Sequence, residues 1–344
     1  MTNTLQKKER IIEFDILRSI ACLMVIMMHS PMPSAHANGL FLSTLSYLTA
    51  PCIGLFFMIS GALLLPVKNT SLFIKKRFTK IFFPTLFWSL FYLLLNSIKT
   101  EFSLVLFIRE ILSIPFSPQG NGVLWFVYTM MGLYLVSPII SKWLENSSEK
   151  EIRFYLLLWL VSLCYPLLDS FLFLSTNNTS IIYYFSGYLG YYVLGFYLRK
   201  YPYSIANKWI IFSCLISLLA PALCKLLHLQ VDFYSVFWYL SVFTASLCVG
   251  WFKLIFRVAP KLTNKAVKAK VVIFSNLSLG VYLVHIFIMR SYLWKLEWIV
   301  DLESYFIQTF IIIFLTLILS VLVCWGISHL PKSDYIIGYR YVKK

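Results

Sequence analysis

The sequence predicts an all-α, polytopic integral membrane protein with about ten transmembrane helices and both termini cytoplasmic. Three observations predict it. Of 344 residues, 60% are hydrophobic, 18% aromatic and only 13% charged, which is more apolar than a soluble globular chain. Stretches long enough to cross a bilayer as helices recur along the whole length. Finally, the lysines and arginines fall into alternate connections, as the positive-inside rule requires.

The spans follow in order. The first, 12–30, reads FDILRSIACLMVIMMHS from Phe14 to Ser30 and carries Asp15, Arg18 and His29, with Pro31 and Pro33 ending it. Further spans are expected at 44–66, 79–97, 123–141, 152–173, 180–198, 207–227, 233–252, 271–291 and 304–328. The longest connection, 98–122, is too short for a soluble domain. Within it Phe102 to Phe116, FSLVLFIREILSIPF, has the apolar spacing of a helix lying in the outer interface, placed to roof a cavity.

With the N-terminus inside, only Lys99, Arg109, Lys225, Arg290 and Lys295 fall on the outer side, and Arg18 lies within a span. Every other Lys and Arg is cytoplasmic, including Lys7, Lys8, Lys343 and Lys344. The formal net charge of +16 therefore reflects topology and anionic head groups, and no nucleic-acid partner is expected. Membrane lipids are partners by construction.

The opening segment also resembles a secretory signal, with Ala35-His36-Ala37 as a cleavage site. The ionisable residues inside its apolar region favour retention. The seven cysteines are scattered with no C-x-x-C pair, so neither a disulfide framework nor a metal site is expected.

Arg18 and His29 are eleven positions apart, which returns a helix to within about 20° of the same face and separates them by about 16 Å along the axis. Asp15, three residues before Arg18, shares that face. Ionisable groups within a span are costly and usually face a protein interior or watery cavity. The stripe is a candidate site; the alternative is an Asp15–Arg18 pair neutralised near one interface and a histidine resting at the other.

The pattern F-D-x-L-R, ten residues, then His resembles the first helix of the membrane acyltransferase-3 family, bacterial multi-span enzymes that O-acylate carbohydrates. FFMISGALL at 56–64, FIKKRFTKIFFP at 73–84, LWFVYTMMGLYLVSPII at 124–140 and SLGVYLVHIF at 278–287 agree in order. The likeness covers most of the chain, read as one transmembrane acyltransferase domain over 1–344. It is nearest to members that O-acetylate bacterial surface polysaccharides such as the enterobacterial common antigen.

The resemblance implies acetyl-CoA as donor substrate with no permanently bound cofactor, a glycan or lipid-linked glycan as acceptor, and a place in the bacterial inner membrane. His29 matches the family's essential histidine, as general base or, less favoured, as acyl carrier. Arg18 matches its paired arginine, which would hold a donor oxygen or stabilise developing charge, with Asp15 orienting it or serving as a helix-start residue. Lys76, Arg77 and Lys80 are candidates for the CoA phosphates, or for positive-inside anchoring. Trp125, Tyr128, Tyr282 and His285 match motifs on the acceptor side; Trp125 and the tyrosines also suit membrane anchoring, and His285 a bond to a neighbouring helix. Relatives often have His where this chain has Val123, which leaves the acceptor open. The competing class is an exporter of polysaccharide or lipid-linked sugar, since intramembrane Asp, Arg and His also relay protons; a third is a structural subunit of a glycan-assembly complex.

Overall fold

The computed structural model describes residues 10–34, 36–98, 103–118, 122–172, 181, 183–229 and 231–342. Lys7, Lys8, Ala35, Lys99, Phe102, Lys343 and Lys344, to which the sequence reading gave a place, lie outside the described residues. Among the described residues every regular element is helical. In order these are α1 (Ile12–His29), α2 (Gly39–Thr49), α3 (Pro51–Leu64), α4 (Thr70–Ser97), α5 (Leu104–Ser113), α6 (Trp125–Asn146), α7 (Glu149–Ser162), α8 (Tyr165–Leu172), α9 (Leu189–Lys200), α10 (Asn207–Leu226), α11 (Phe233–Val236), α12 (Val242–Val258), α13 (Lys265–Ser291), α14 (Glu297–Val300), α15 (Tyr305–Ser328) and α16 (Asp334–Ile337).

Polar side chains start these helices where the sequence offers them. Asn38, Asn69, Asp232, Ser241, Asn264 and Ser304 each accept a first-turn backbone N–H, and Ser148 with Glu151 forms a reciprocal capping box. Pro84, Pro138 and Pro221 sit inside α4, α6 and α10, as spanning helices tolerate when neighbours re-satisfy the freed carbonyls.

Eight helical segments among the described residues are long and apolar enough to cross a membrane. They correspond to eight of the ten expected spans, with shifted bounds: the second begins at Gly39 and breaks at Ala50, and the eighth starts at Val242 instead of 233. The other two expected spans are α1 and α9. Helix α1 is too charged to qualify, carrying Glu13, Asp15 and Arg18 in 18 residues. Helix α9 has only 12 residues, a rise of about 18 Å against a hydrocarbon core of about 30 Å. Protein neighbours cover α9 throughout and most of the face of α1 that carries its charges, which explains why they need neither length nor uniform apolarity. Every residue from Gly190 to Leu198 is buried, and α1 packs against α2, α3, α12, α13 and α15.

The tightest approach joins α3 and α9. A Cβ on Gly61 would lie 1.7 Å from the Tyr192 carbonyl oxygen, and one on Gly195 would lie 1.9 Å from that of Met58. Close backbone contact of this kind is how helices associate where lipid removes the hydrophobic drive between them.

Helices α1 and α13 run parallel, since Arg18 meets Ser275 at their N-terminal halves and His29 meets His285 at their C-terminal halves. Both described chain ends come to the Arg18 side of the bundle. Arg10 donates to Asn276 at 2.9 Å, and Tyr339, beyond α16, lines the same cavity as Arg18. Helix α16 is tied there by the Trp88 indole N–H, which donates to the Ile336 carbonyl at 3.0 Å.

Helix α5 forms within the segment expected to lie in the interface. Leu104, Val105, Leu106, Ile108 and Leu112 are exposed along it, and it packs on α4.

Candidate active site

At the N-terminal end of α1 the Asp15 carboxylate is buried, 3% exposed, and every donor it needs is present. Arg10 grips it with two bonds, Nε to Oδ2 at 2.6 Å and Nη2 to Oδ1 at 2.7 Å, and the Ser275 hydroxyl donates to Oδ1 at 2.7 Å. This bidentate fork is the strong form of a charge-assisted bond, and it holds the Arg10 guanidinium above its ordinary pKa. Arg18 stands further off, with Nη1 3.8 Å from Oδ1, and instead donates to Ser275 Oγ at 3.2 Å. Asp15 therefore pairs chiefly with Arg10, while Ser275 bridges Asp15 to Arg18.

A cavity of about 180 Å³ opens beside this network. Arg18, Arg77 and Lys80 line it together with Ser275, Asn276 and Tyr339, and no acidic side chain does. Asp15's charge is matched by Arg10, so the three cations facing the space keep a net positive charge for an anionic ligand. Lys76 is exposed and not part of the wall. Lys265 and Lys270 lie exposed on the first turns of α13.

About three turns along α1 the character changes. His285 is fully buried, and its Nε2 lies 3.3 Å from His29 Nδ1. His285 Nδ1 is 2.6 Å from the Tyr282 carbonyl, and His29 Nδ1 is 2.9 Å from the Val25 carbonyl. Carbonyls only accept, so in the neutral pair both Nδ1 atoms carry hydrogens. His285 Nε2 is then an acceptor facing His29 Nδ1–H, and the lone pair left for chemistry is on His29 Nε2. His29 is partly accessible whereas His285 is not.

Tyr282 belongs to both regions. Its ring lines the cavity and sits 5.8 Å from the His285 ring, and its hydroxyl donates to the Val123 carbonyl. The main chain at Val123 is thus engaged by Tyr282. His29 itself does not line this cavity.

Trp125 packs between Tyr188 at 5.2 Å and Tyr239 at 5.6 Å, and the Tyr239 hydroxyl donates to Met28 Sδ at 2.8 Å. Trp125 is thereby part of an aromatic cluster that reaches the residue next to His29, where an anchor would stand in the lipid belt. Tyr128 does something else: its hydroxyl donates to the Ile114 carbonyl at 2.6 Å and so pins the end of α5 to α6. Sequence reasoning missed Arg10, Ser275, Asn276 and Tyr339; none carries a periodic or motif signal, and only the meeting of α1, α13 and the chain's end reveals them.

A family model described as an acyltransferase domain, acyltransferase-3, matches residues 11–329. No curated protein and no solved structure matches the chain.

Proposed function

From the premise that this chain belongs to the acyltransferase-3 family, and is a multi-pass membrane acyltransferase, we propose that it transfers an acetyl group from acetyl-CoA to a sugar hydroxyl of a bacterial surface polysaccharide or its lipid-linked precursor. The observation that carries this reading is the division of one helix into a cationic cavity wall at Arg18 and a hydrogen-bonded imidazole pair at His29. Family membership sets the enzyme class above the exporter and the structural subunit.

The donor's phosphates suit the cations Arg18, Arg77 and Lys80. That end, which also holds both described chain ends, is assigned to the cytoplasm of an inner membrane, where the excess of Lys and Arg belongs. The thioester must then extend roughly 16 Å along α1 to reach His29, passing Tyr282.

At His29, Nε2 accepts the proton of the sugar hydroxyl as its oxygen attacks the thioester carbonyl carbon. The tetrahedral intermediate collapses with cleavage of the carbon–sulfur bond, and the proton passes from His29 to the departing sulfur, giving the ester and free CoA thiol. The Val25 carbonyl and His285 Nε2 together hold His29 in the tautomer that exposes Nε2. The Trp125, Tyr188 and Tyr239 rings provide apolar faces for a pyranose beside the reacting centre.

The test is incorporation of label from radioactive acetyl-CoA into glycan by membranes containing the chain. Incorporation that requires the chain and is lost in folded His29→Ala supports the reading. Absence of transfer to any glycan fraction, with transfer from a different acyl donor, would refute the acetyl assignment.

A further inference from the structure

A second concavity lies on the opposite side of α1. It encloses about 810 Å³ between α1, α10 and α12. Ile20, Leu23, Met24 and Met27 form its α1 wall, and they lie between about 140° and 240° around the helix from Arg18, with His29 at about 20°. The space therefore sits behind the helix that carries the candidate catalytic residues, out of reach of their face.

Its walls are apolar except near one end. Ile211 and Leu215 of α10 and Leu254 of α12 are exposed along it, so it opens toward the hydrocarbon. Lys253 and Arg257 close the α12 end, and no acidic residue lines the groove. The ion pairs among the described residues involve neither cation. Lys253 gives one hydrogen to the Pro202 carbonyl, which leaves its other two N–H groups available.

That cationic end is level with the start of α1, because Phe14 packs edge-on against Phe252 at 6.1 Å and Phe256 at 5.1 Å. From Leu247 to Arg257 the α12 wall rises about 15 Å, which matches one leaflet, half of a hydrocarbon core about 30 Å thick. A groove one leaflet long, apolar along its walls, open to lipid and cationic at the head-group end has the form of a lipid with an anionic phosphate.

We propose that this groove binds an anionic phospholipid of the leaflet on the Arg10 side, its phosphate held by Lys253 and Arg257 and an acyl chain lying against the back of α1. A lipid-linked acceptor has the same chemistry, an apolar chain on a phosphate. The groove's position behind α1, away from His29, assigns it to a resident phospholipid that backs the helix.

The experiment is native mass spectrometry of the purified full chain offered phosphatidylglycerol, phosphatidylcholine or undecaprenyl phosphate. The expected result is one retained phosphatidylglycerol, preferred at least tenfold over phosphatidylcholine. That preference should fall at least tenfold in Lys253→Gln/Arg257→Gln and survive in Lys265→Gln/Lys270→Gln, which removes cations outside the groove. Leu215→Trp, which fills the groove from its exposed side, should displace the lipid with the cations intact, and gel filtration reports whether each variant is folded. Equal retention of the two phospholipids, or phosphatidylglycerol binding unchanged in the folded groove variants, would overturn the proposal. So would preference for undecaprenyl phosphate, which would make the groove an acceptor site.

Discussion

The two ends of α1 solve different problems with the same helix face. At Arg18 a buried carboxylate is saturated by Arg10 and Ser275, so its charge is paired off and Arg18 is left, with Arg77 and Lys80, facing a cavity. At His29 no charged partner is hydrogen-bonded to either imidazole; the rings meet each other and two main-chain carbonyls. The contrast teaches how a membrane enzyme separates holding from reacting. Under the proposed function, charge gives affinity for the donor's phosphates, and an imidazole pair fixed by backbone geometry gives a base whose free nitrogen is defined by hydrogen bonding.

Breaking the frame should abolish the comparison altogether. Gly61→Leu places a side chain where α9's backbone already lies, forcing α3 and α9 apart; no monodisperse protein should be recovered by gel filtration. Arg18→Gln removes a charge-assisted contact worth about 2 kcal/mol. It should raise KM for acetyl-CoA by roughly ten- to a hundredfold while kcat changes little, measured by steady-state transfer. His285→Phe keeps a ring but removes one of the two acceptors facing His29 Nδ1–H, leaving the Val25 carbonyl, and such a neutral bond is worth about 1 kcal/mol. It should lower kcat by roughly tenfold and leave donor KM alone, sharpening the division between the ends. Tyr128→Phe loses the tie to Ile114 and a longer contact with Ser89 Oγ, so thermal unfolding should show a loss of about 1 kcal/mol, with both kinetic constants near those of the parent.

Much of this was legible because helical periodicity is local. Asp15, Arg18 and His29 stand out as polar residues in an apolar run, and their spacing alone puts them on one face. What periodicity cannot convey is which helix lies opposite. His285 was visible as a buried histidine in a motif, yet its partner is 256 positions away in sequence, and only the parallel packing of α1 on α13 joins them. Arg10 looked like one more positive-inside residue, and its role as Asp15's counter-ion follows from the buried geometry of the carboxylate. Hydropathy likewise favours lipid-facing helices such as α15 over α9, whose short, wholly enclosed segment is defined by its protein neighbours.

The most direct test of the central claim uses one preparation of folded His29→Ala and two readouts, equilibrium binding of radiolabelled CoA and single-turnover acetyl transfer to acceptor glycan. General-base removal predicts transfer slowed by about 10²–10⁴-fold with CoA affinity unchanged. Transfer at the parent rate would contradict His29 as the base, and a parallel collapse of CoA binding would contradict the separation of the two ends.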